Sequence, residues 1–334
     1  RTIYFAFADP TGVDPYTLPG YARAPASPPD TRYNTFHIYA MNADGSNLRQ
    51  LTDGPDDGLA YELGTLAMVS AFFECHERLG EHAGPWLRPL ETRFRPHLPQ
   101  DLVMTRRYKG KTNEMFTHLL CNIARYSSTY ATLPWSSLRV VDPLAGGGTT
   151  LLMALVLGAD AGGVEKNARD VQTTAVFVER YARGQGIPVV RRRERLRGVG
   201  RRWWLTLGKD PQKHCVLAQG DTLCCEELLR GFKRPHLLVA DLPYGIQHHG
   251  ALVELLTSAL PVWAGLLLPG GAMALAWDAT RFPRQQMVAL ADAVEGLTVL
   301  NHPPYDALAH RVDRVIRRRD VLVARRAPGS ATPG

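Results

Sequence analysis

At 334 residues, with 45% hydrophobic and 21% charged side chains, the chain has an ordinary globular composition and is long enough for two domains, which excludes a disordered or fibrous polypeptide. Apolar runs such as "LLMALVLGADAGGV" are broken by Gly and Asp well short of the ~20 residues a membrane helix needs, so no membrane partner is expected. A formal net charge of +7 points to a polyanionic partner instead.

Residues 1–58 are rich in Pro, Gly, Asp and Tyr, with short aromatic runs ("TIYFAFAD", "FHIYAMN") between turn signals. "FHIYAMNADGSNLRQLTDG" alternates apolar and polar residues around Ala43-Asp44-Gly45, which predicts a β-hairpin with a glycine turn. Over residues 36–54 the wording resembles one strand-turn-strand unit of the TolB-type β-propeller repeat. A propeller needs several blades, so one copy implies an appended β-rich segment. A helical lead-in is expected over 59–105, where "LAYELGTLAMVSAFFECHERLG" has helix-compatible periodicity and Gly80 is placed to close it.

From 106 to 327, predicted strands ("LRVVD", "AGGVE", "HCVLAQ", "HLLVAD", "GGAMALAWD", "DVLVARR") alternate with predicted helices. Such alternation predicts an α/β fold with a doubly wound, seven-stranded Rossmann-like sheet, whose ligands bind outside the carboxyl ends of the strands. Residues 328–334 read as a disordered tail. The five cysteines (Cys75, Cys121, Cys215, Cys224, Cys225) are odd in number and form no C-x-x-C pair. Neither a disulfide framework nor a metal site is expected, and reduced thiols suit the cytoplasm. The opening "RTIYFAFADPTG" lacks the basic-then-apolar pattern of a secretory leader.

In "VVDPLAGGGTTLLMAL", three glycines, Gly146 to Gly148, stand directly between a strand and a helix. Glycine there lets the chain turn sharply and lets backbone N–H groups approach a ligand without Cβ interference. The run matches neither G-x-G-x-x-G nor G-x-x-x-x-G-K-[ST], which disfavours a dinucleotide or a nucleoside triphosphate. Asp142, just before the turn, suits an ammonium group and repels a pyrophosphate. Glu165 ends the next strand, where an acid accepts hydrogen bonds from ribose hydroxyls. Asp221 ends a third strand, placed to reach an adenine amino group. Singly, each acid reads equally as a helix cap or loop acid. Together, around a glycine turn, they point to a nucleoside cofactor without phosphate, and S-adenosyl-L-methionine fits.

"DPLAGGGTT", "GVEKN", "QGD" and "DLPYG", in that order, resemble the motifs of class I S-adenosylmethionine-dependent methyltransferases, and among these the THUMP-associated tRNA guanine-N2 methyltransferases. "RRYKGKTNEMFTHLLCNIA" resembles that family's leading motif. The likeness spans roughly Arg106 to Arg326. The family's usual D-P-P-Y is departed from at Leu242, and no THUMP-like segment is recognisable before residue 100. The resemblance implies a cofactor held by Asp142, Pro143, Ala145, Gly146, Gly148 and Thr149. It adds Thr112, Glu165, Lys166, Asp221 and Asp241 to that set. It also implies methyl transfer to an exocyclic amine of a base in RNA, with guanosine N2 in tRNA as the expected target.

"LLVADLPYGIQHHG" then reads as a buried strand that ends in a catalytic group of three, Asp241, Pro243 and Tyr244. An exocyclic amine is a poor nucleophile because its lone pair is delocalised into the base. The Asp241 carboxylate and the Pro243 carbonyl can each accept one amino hydrogen and so aim that lone pair. Tyr244 offers a stacking face worth ~1–3 kcal/mol per base, and a paired base must first be flipped out. The protein's work is then alignment. In isolation "DLPYG" is an ordinary β-turn; following a complete cofactor motif, it reads as an amine clamp.

Other residues have two readings each. His248 and His249 contact phosphate or base, or are surface residues. Lys109, Lys111, Thr112 and Asn113 line the cofactor carboxylate or nucleic acid, or form a capped helix start. Basic segments 180–213 and 311–326 are the expected RNA contacts. Within the first, Trp203 and Trp204 are stacking platforms or core. Asp278 reads as a strand-end cap. The alternatives to RNA are a DNA adenine-N6 or cytosine-N4 methyltransferase, which shares the clamp chemistry, and a non-catalytic propeller-derived binding protein.

Overall fold

The computed structural model describes residues 2–8, 36–42, 49–50, 72–90, 95–108, 110–243, 249–312 and 318–328. The chain divides into two compact units, Arg1–Arg95 and Pro96–Gly334.

In the first unit, β1 (Thr2–Ala8), β2 (Phe36–Asn42) and β3 (Arg49–Gln50) form an antiparallel sheet in the order β1-β2-β3. β2 and β3 are the arms of the expected hairpin, whose turn at Ala43-Asp44-Gly45 lies outside the described residues. Three strands do not make a propeller blade, and the repeat likeness gains nothing from them. β4 (Phe72–Leu79) and β5 (His82–Leu90) form a separate antiparallel pair. This corrects the helix expected over 59–80, of which residues 59–71 lie outside the described set. Gly80 adopts φ +62° at the hairpin turn instead of closing a helix. A short apolar run carries both periodicities, and here pairing decided between them.

The second unit begins with α1 (Asp101–Thr105) and α2 (Glu114–Ser127). The Asn113 Oδ1 accepts the Phe116 N–H at 3.1 Å and caps α2. There follow β6 (Arg139–Asp142), α3 (Thr149–Leu157), β7 (Asp160–Glu165), α4 (Ala168–Gly184) and the hairpin β8 (Val189–Leu196) and β9 (Gly200–Leu207). Next come β10 (Lys213–Gln219), α5 (Cys225–Leu228), β11 (Leu237–Asp241), α6 (His249–Leu266) and β12 (Ala272–Asp278). The unit finishes with α7 (Arg284–Asp292), β13 (Leu297–Leu300) and β14 (Arg319–Arg326).

These strands make one nine-stranded sheet in the order β13-β14-β12-β11-β6-β7-β10-β9-β8. The centre, β12 to β10, is parallel, and both flanks are antiparallel. The expected seven strands are therefore nine, because the basic segment folds as β8 and β9 on the sheet edge. Its alternation is legible only in β9, where Trp203, Leu205 and Leu207 are buried in steps of two. In β8 the arginines hide the period.

Central strands such as "LLVA" and "AMALAW" are buried along their length, as parallel strands covered on both faces are. Trp263 and Trp277 fill the core and satisfy their indole N–H groups at 2.9 Å on the Thr222 hydroxyl and 2.7 Å on the Phe282 carbonyl. Successive strands run outward from β6 in one direction through β7 and β10, then restart on its other side at β11. That reversal is the switch point of the sheet, where crevices open. Among the described residues, no helix is long and apolar enough to cross a membrane.

Candidate active site

The carboxyl ends of β6, β7 and β11 deliver Asp142, Glu165 and Asp241 to the switch point. After Asp142 the chain turns through Gly146 (φ +49°) and Gly148 (φ +89°), left-handed conformations that side chains other than glycine's strain to adopt. Gly147 is glycine for another reason. A Cβ there would lie 2.3 Å from the ring of Tyr108, which covers it. Arg106 donates from Nε to the Gly147 carbonyl at 2.8 Å and from Nη2 to the Thr174 hydroxyl at 2.7 Å. Its guanidinium also lies 5.4 Å from the Tyr108 ring and 5.3 Å from that of Phe177. The Tyr108 hydroxyl bonds that of Thr149, and burial pushes its pKa up. Neither Arg106 nor Tyr108 was singled out by sequence, although both stand in "RRYKGKTN"; together they brace the back of the turn.

Asp142 is buried at 4% exposure and accepts the Leu144 N–H at 3.0 Å. Burial pushes its carboxyl up to about 7; hydrogen bonds from Thr150 and Leu144 oppose the shift, and the charges of Asp241 and Glu165 add to it. Glu165 accepts the Gly146 N–H on Oε2 at 2.9 Å and the Asn167 N–H on Oε1 at 2.7 Å, so it faces the glycine turn. Ala145 donates to the Val164 carbonyl at 2.9 Å, drawing Pro143 and Ala145 against β7.

Asp221 sits beside Glu165, since the Gly220 N–H reaches the Glu165 carbonyl at 3.1 Å. The Asp221 Oδ1 accepts the Leu223 N–H at 3.0 Å, so it also serves as the cap that its alternative reading foresaw. The Lys166 side chain is exposed.

Asp241 is tied down from two directions. Thr112 donates its hydroxyl to the Asp241 Oδ2 at 2.7 Å, and the Arg319 guanidinium stands 3.6 Å from the same oxygen. Arg319 lies 4.6 Å over the ring of Phe116, which packs 5.2 Å from the His310 ring. His310 and Arg319 exchange backbone hydrogen bonds of 2.8 and 2.9 Å. Sequence reasoning missed Phe116, His310 and Arg319; only the pairing of β14 with β12 turns Arg319 inward. Thr112 meets the strand-end acid, and no cofactor is needed to explain its place.

Leu242 also acquires a reason. Its N–H donates to the Ala276 carbonyl at 2.8 Å and its side chain is buried, a bond a proline could not make. Pro243 is exposed beside it.

Several candidates fall elsewhere. Tyr244, His248 and Lys109 lie outside the described residues, and the His249 side chain is not described. Lys111 donates to the Val103 carbonyl at 2.7 Å and pairs with Glu114, supporting the helix start. Trp203 is buried at 4% exposure and the Trp204 indole donates to the His214 Nδ1 at 3.4 Å, so neither is an open platform. Asp278 caps its strand end by accepting the Thr280 N–H at 3.0 Å. In the described part of 311–326, Arg319 points inward and Arg326 binds the Gly265 carbonyl at 2.9 Å. Arg311 and Arg318 of the same segment are exposed.

No family model matches the sequence, and no curated protein matches it. Among solved structures, the chain is similar to TrmN from Thermus thermophilus (19% identity, 77% of this chain and 60% of that one, TM-score 0.40). It spans only that 60% of the TrmN chain's length. A second is the Thermus thermophilus 16S rRNA N2 methyltransferase RsmC in complex with AdoMet and guanosine (16% identity, 65% and 44%, TM-score 0.37). A third is the N-methyltransferase NodS from Bradyrhizobium japonicum (12% identity, 64% and 94%, TM-score 0.39).

Proposed function

We propose that the Pro96–Gly334 unit transfers a methyl group from S-adenosyl-L-methionine to an exocyclic amine of a nucleobase in RNA, with guanosine N2 in tRNA as the first target to test. The observation that supports this reading is the meeting of Asp142, Glu165 and Asp241 around the Gly146–Gly148 turn at the switch point. Burial pushes the Asp142 carboxyl up and the charges of Asp241 and Glu165 add to that shift, so among the described residues no cation answers this corner of the site. A ligand carrying an ammonium and a sulfonium answers that shortage, whereas a pyrophosphate worsens it.

The donor set fits S-adenosyl-L-methionine. Asp142 and the turn from Pro143 to Thr149 would face its amino-acid end, Glu165 its ribose and Asp221 its adenine. When bound, the cofactor supplies an electrophilic methyl on a sulfonium. The chain's own residues do the rest. Asp241, oriented by Thr112 and Arg319, accepts one amino hydrogen; the Pro243 carbonyl accepts the other; and the Asp241 carboxylate takes the proton that the methylated amine releases. Phe116 and His310 pack around Arg319, whose guanidinium lies over the Phe116 ring, and so hold the cation that orients Asp241.

The test is mass spectrometry of nucleosides from total tRNA and from DNA, each incubated with protein and methyl-labelled cofactor. Label on an exocyclic amine of an RNA nucleoside is expected. Label confined to DNA, or to a ring nitrogen, carbon or ribose oxygen, would refute the proposal.

A further inference from the structure

The β8–β9 hairpin carries more positive charge than the fold uses. Arg191 pairs with Glu179 at 2.8 Å and Arg202 with Glu194 at 2.6 Å. Arg193 rests on the Trp203 ring at 5.3 Å. Arg195, Arg197 and Arg201 are exposed, and among the described residues none of them meets a carboxylate. Arg195 stands directly opposite Arg201 across the hairpin, an arrangement of like charges that opposes folding.

Their position is specific. Glu165 pairs with Gln219, Gln219 with Arg201, and Arg201 with Arg195, so the four form one row across β7, β10, β9 and β8 on one face of the sheet. The hairpin is pressed close: a Cβ at Gly200 would lie 2.0 Å from the Gln219 carbonyl oxygen. A groove of about 730 Å³ opens on this row, lined by Arg193, Arg195, Arg201 and Gln219.

From these observations we infer that the tip of the β8–β9 hairpin is a docking groove for the phosphodiester backbone of an RNA substrate, continuous with the ribose end of the methyl-donor site. Only the identity of the polyanion rests on the RNA-methylation reading. Guanidinium groups suit phosphate by charge and by their planar fork of donors. Arg201 is four strands from Asp241, a span of ~19 Å at the usual strand spacing. The groove therefore grips RNA well away from the base being modified.

The experiment titrates a fluorescently labelled RNA stem-loop against wild-type protein, an Arg195→Gln/Arg197→Gln/Arg201→Gln variant, and the corresponding triple Lys variant, across a salt series. S-adenosyl-L-methionine binding serves as the folding control. The expected result is a loss of at least about tenfold in affinity for the Gln variant and a salt slope shallower by about 2. Cofactor binding should be unchanged and most affinity kept in the Lys variant. Unchanged RNA affinity and slope in a cofactor-competent Gln variant overturns the groove. RNA that binds through these arginines but gains no methyl group supports the groove while refuting the proposed reaction. Methylation that persists alongside an unchanged salt slope refutes the groove alone.

Discussion

Replacing Asp142 by Asn removes a charge from the most enclosed corner of the site while keeping an acceptor for the Leu144 N–H. Burial lifts this carboxyl from an ordinary 3.8 to about 7. Because the folded value lies above the unfolded one, Asp142 favours folding most when protonated, below about pH 4, and that advantage is lost as pH rises toward 7. The shift of about three pH units corresponds to at most about 4 kcal/mol of strain in the wild type above pH 7. About 2–3 kcal/mol of this develops between about pH 5 and pH 8. Asn must also find a partner for its buried amide hydrogens, but that cost is independent of pH. Urea unfolding followed by tryptophan fluorescence reports the right unit, since five of the six tryptophans lie in Pro96–Gly334. The stability of the variant relative to the wild type should rise by roughly 2–3 kcal/mol between about pH 5 and pH 8. A difference that stays flat across that range would refute the claim that Asp142 is a strained, buried acid.

The same acid predicts proton-linked ligand binding: a cationic ligand favours the carboxylate, so calorimetric affinity for S-adenosyl-L-methionine should fall as pH drops below about 7. Gly147→Ala should cost about 1–3 kcal/mol because its methyl enters the Tyr108 ring. Adding Tyr108→Ala should make the two costs sub-additive in a double-mutant cycle of thermal stabilities. Thr112→Val should lower methyl-transfer turnover about tenfold, the worth of one hydrogen bond to a carboxylate, with cofactor affinity unchanged in a titration. Leu242→Pro removes the bond to the Ala276 carbonyl and a buried side chain, and should lower stability by about 1–3 kcal/mol in the same urea assay.

Much of the second unit was legible because parallel central strands must be apolar on both faces, so "LLVAD" and "AMALAWD" announce themselves. The glycine turn was legible too, since Gly146 and Gly148 need positive φ that glycine alone adopts cheaply. The β8 strand was not legible. Its inner positions are arginines, whose stems cover apolar surface while their heads reach water or aromatic faces, so period two leaves no hydrophobic trace. The helix expected over 59–80 failed at Phe72–Leu79 for a related reason: one apolar run of that length suits either period, and strand pairing is not written locally. Arg319 shows the third limit. In the sequence it is one of several basic residues near the end of the chain. Antiparallel pairing of β14 with β12 sets it on the acid of β11, a contact between positions far apart in the chain.

The central claim is that Asp241 grips the amine that receives the methyl group. It is tested most directly by comparing wild-type protein with Asp241→Ala in transfer of labelled methyl to tRNA, after showing by titration that the variant still binds S-adenosyl-L-methionine. The account predicts labelled, amine-methylated nucleoside from the wild type and a loss of at least about a hundredfold in the variant. Equal labelling by both proteins, or no label from either at saturating cofactor, would contradict it.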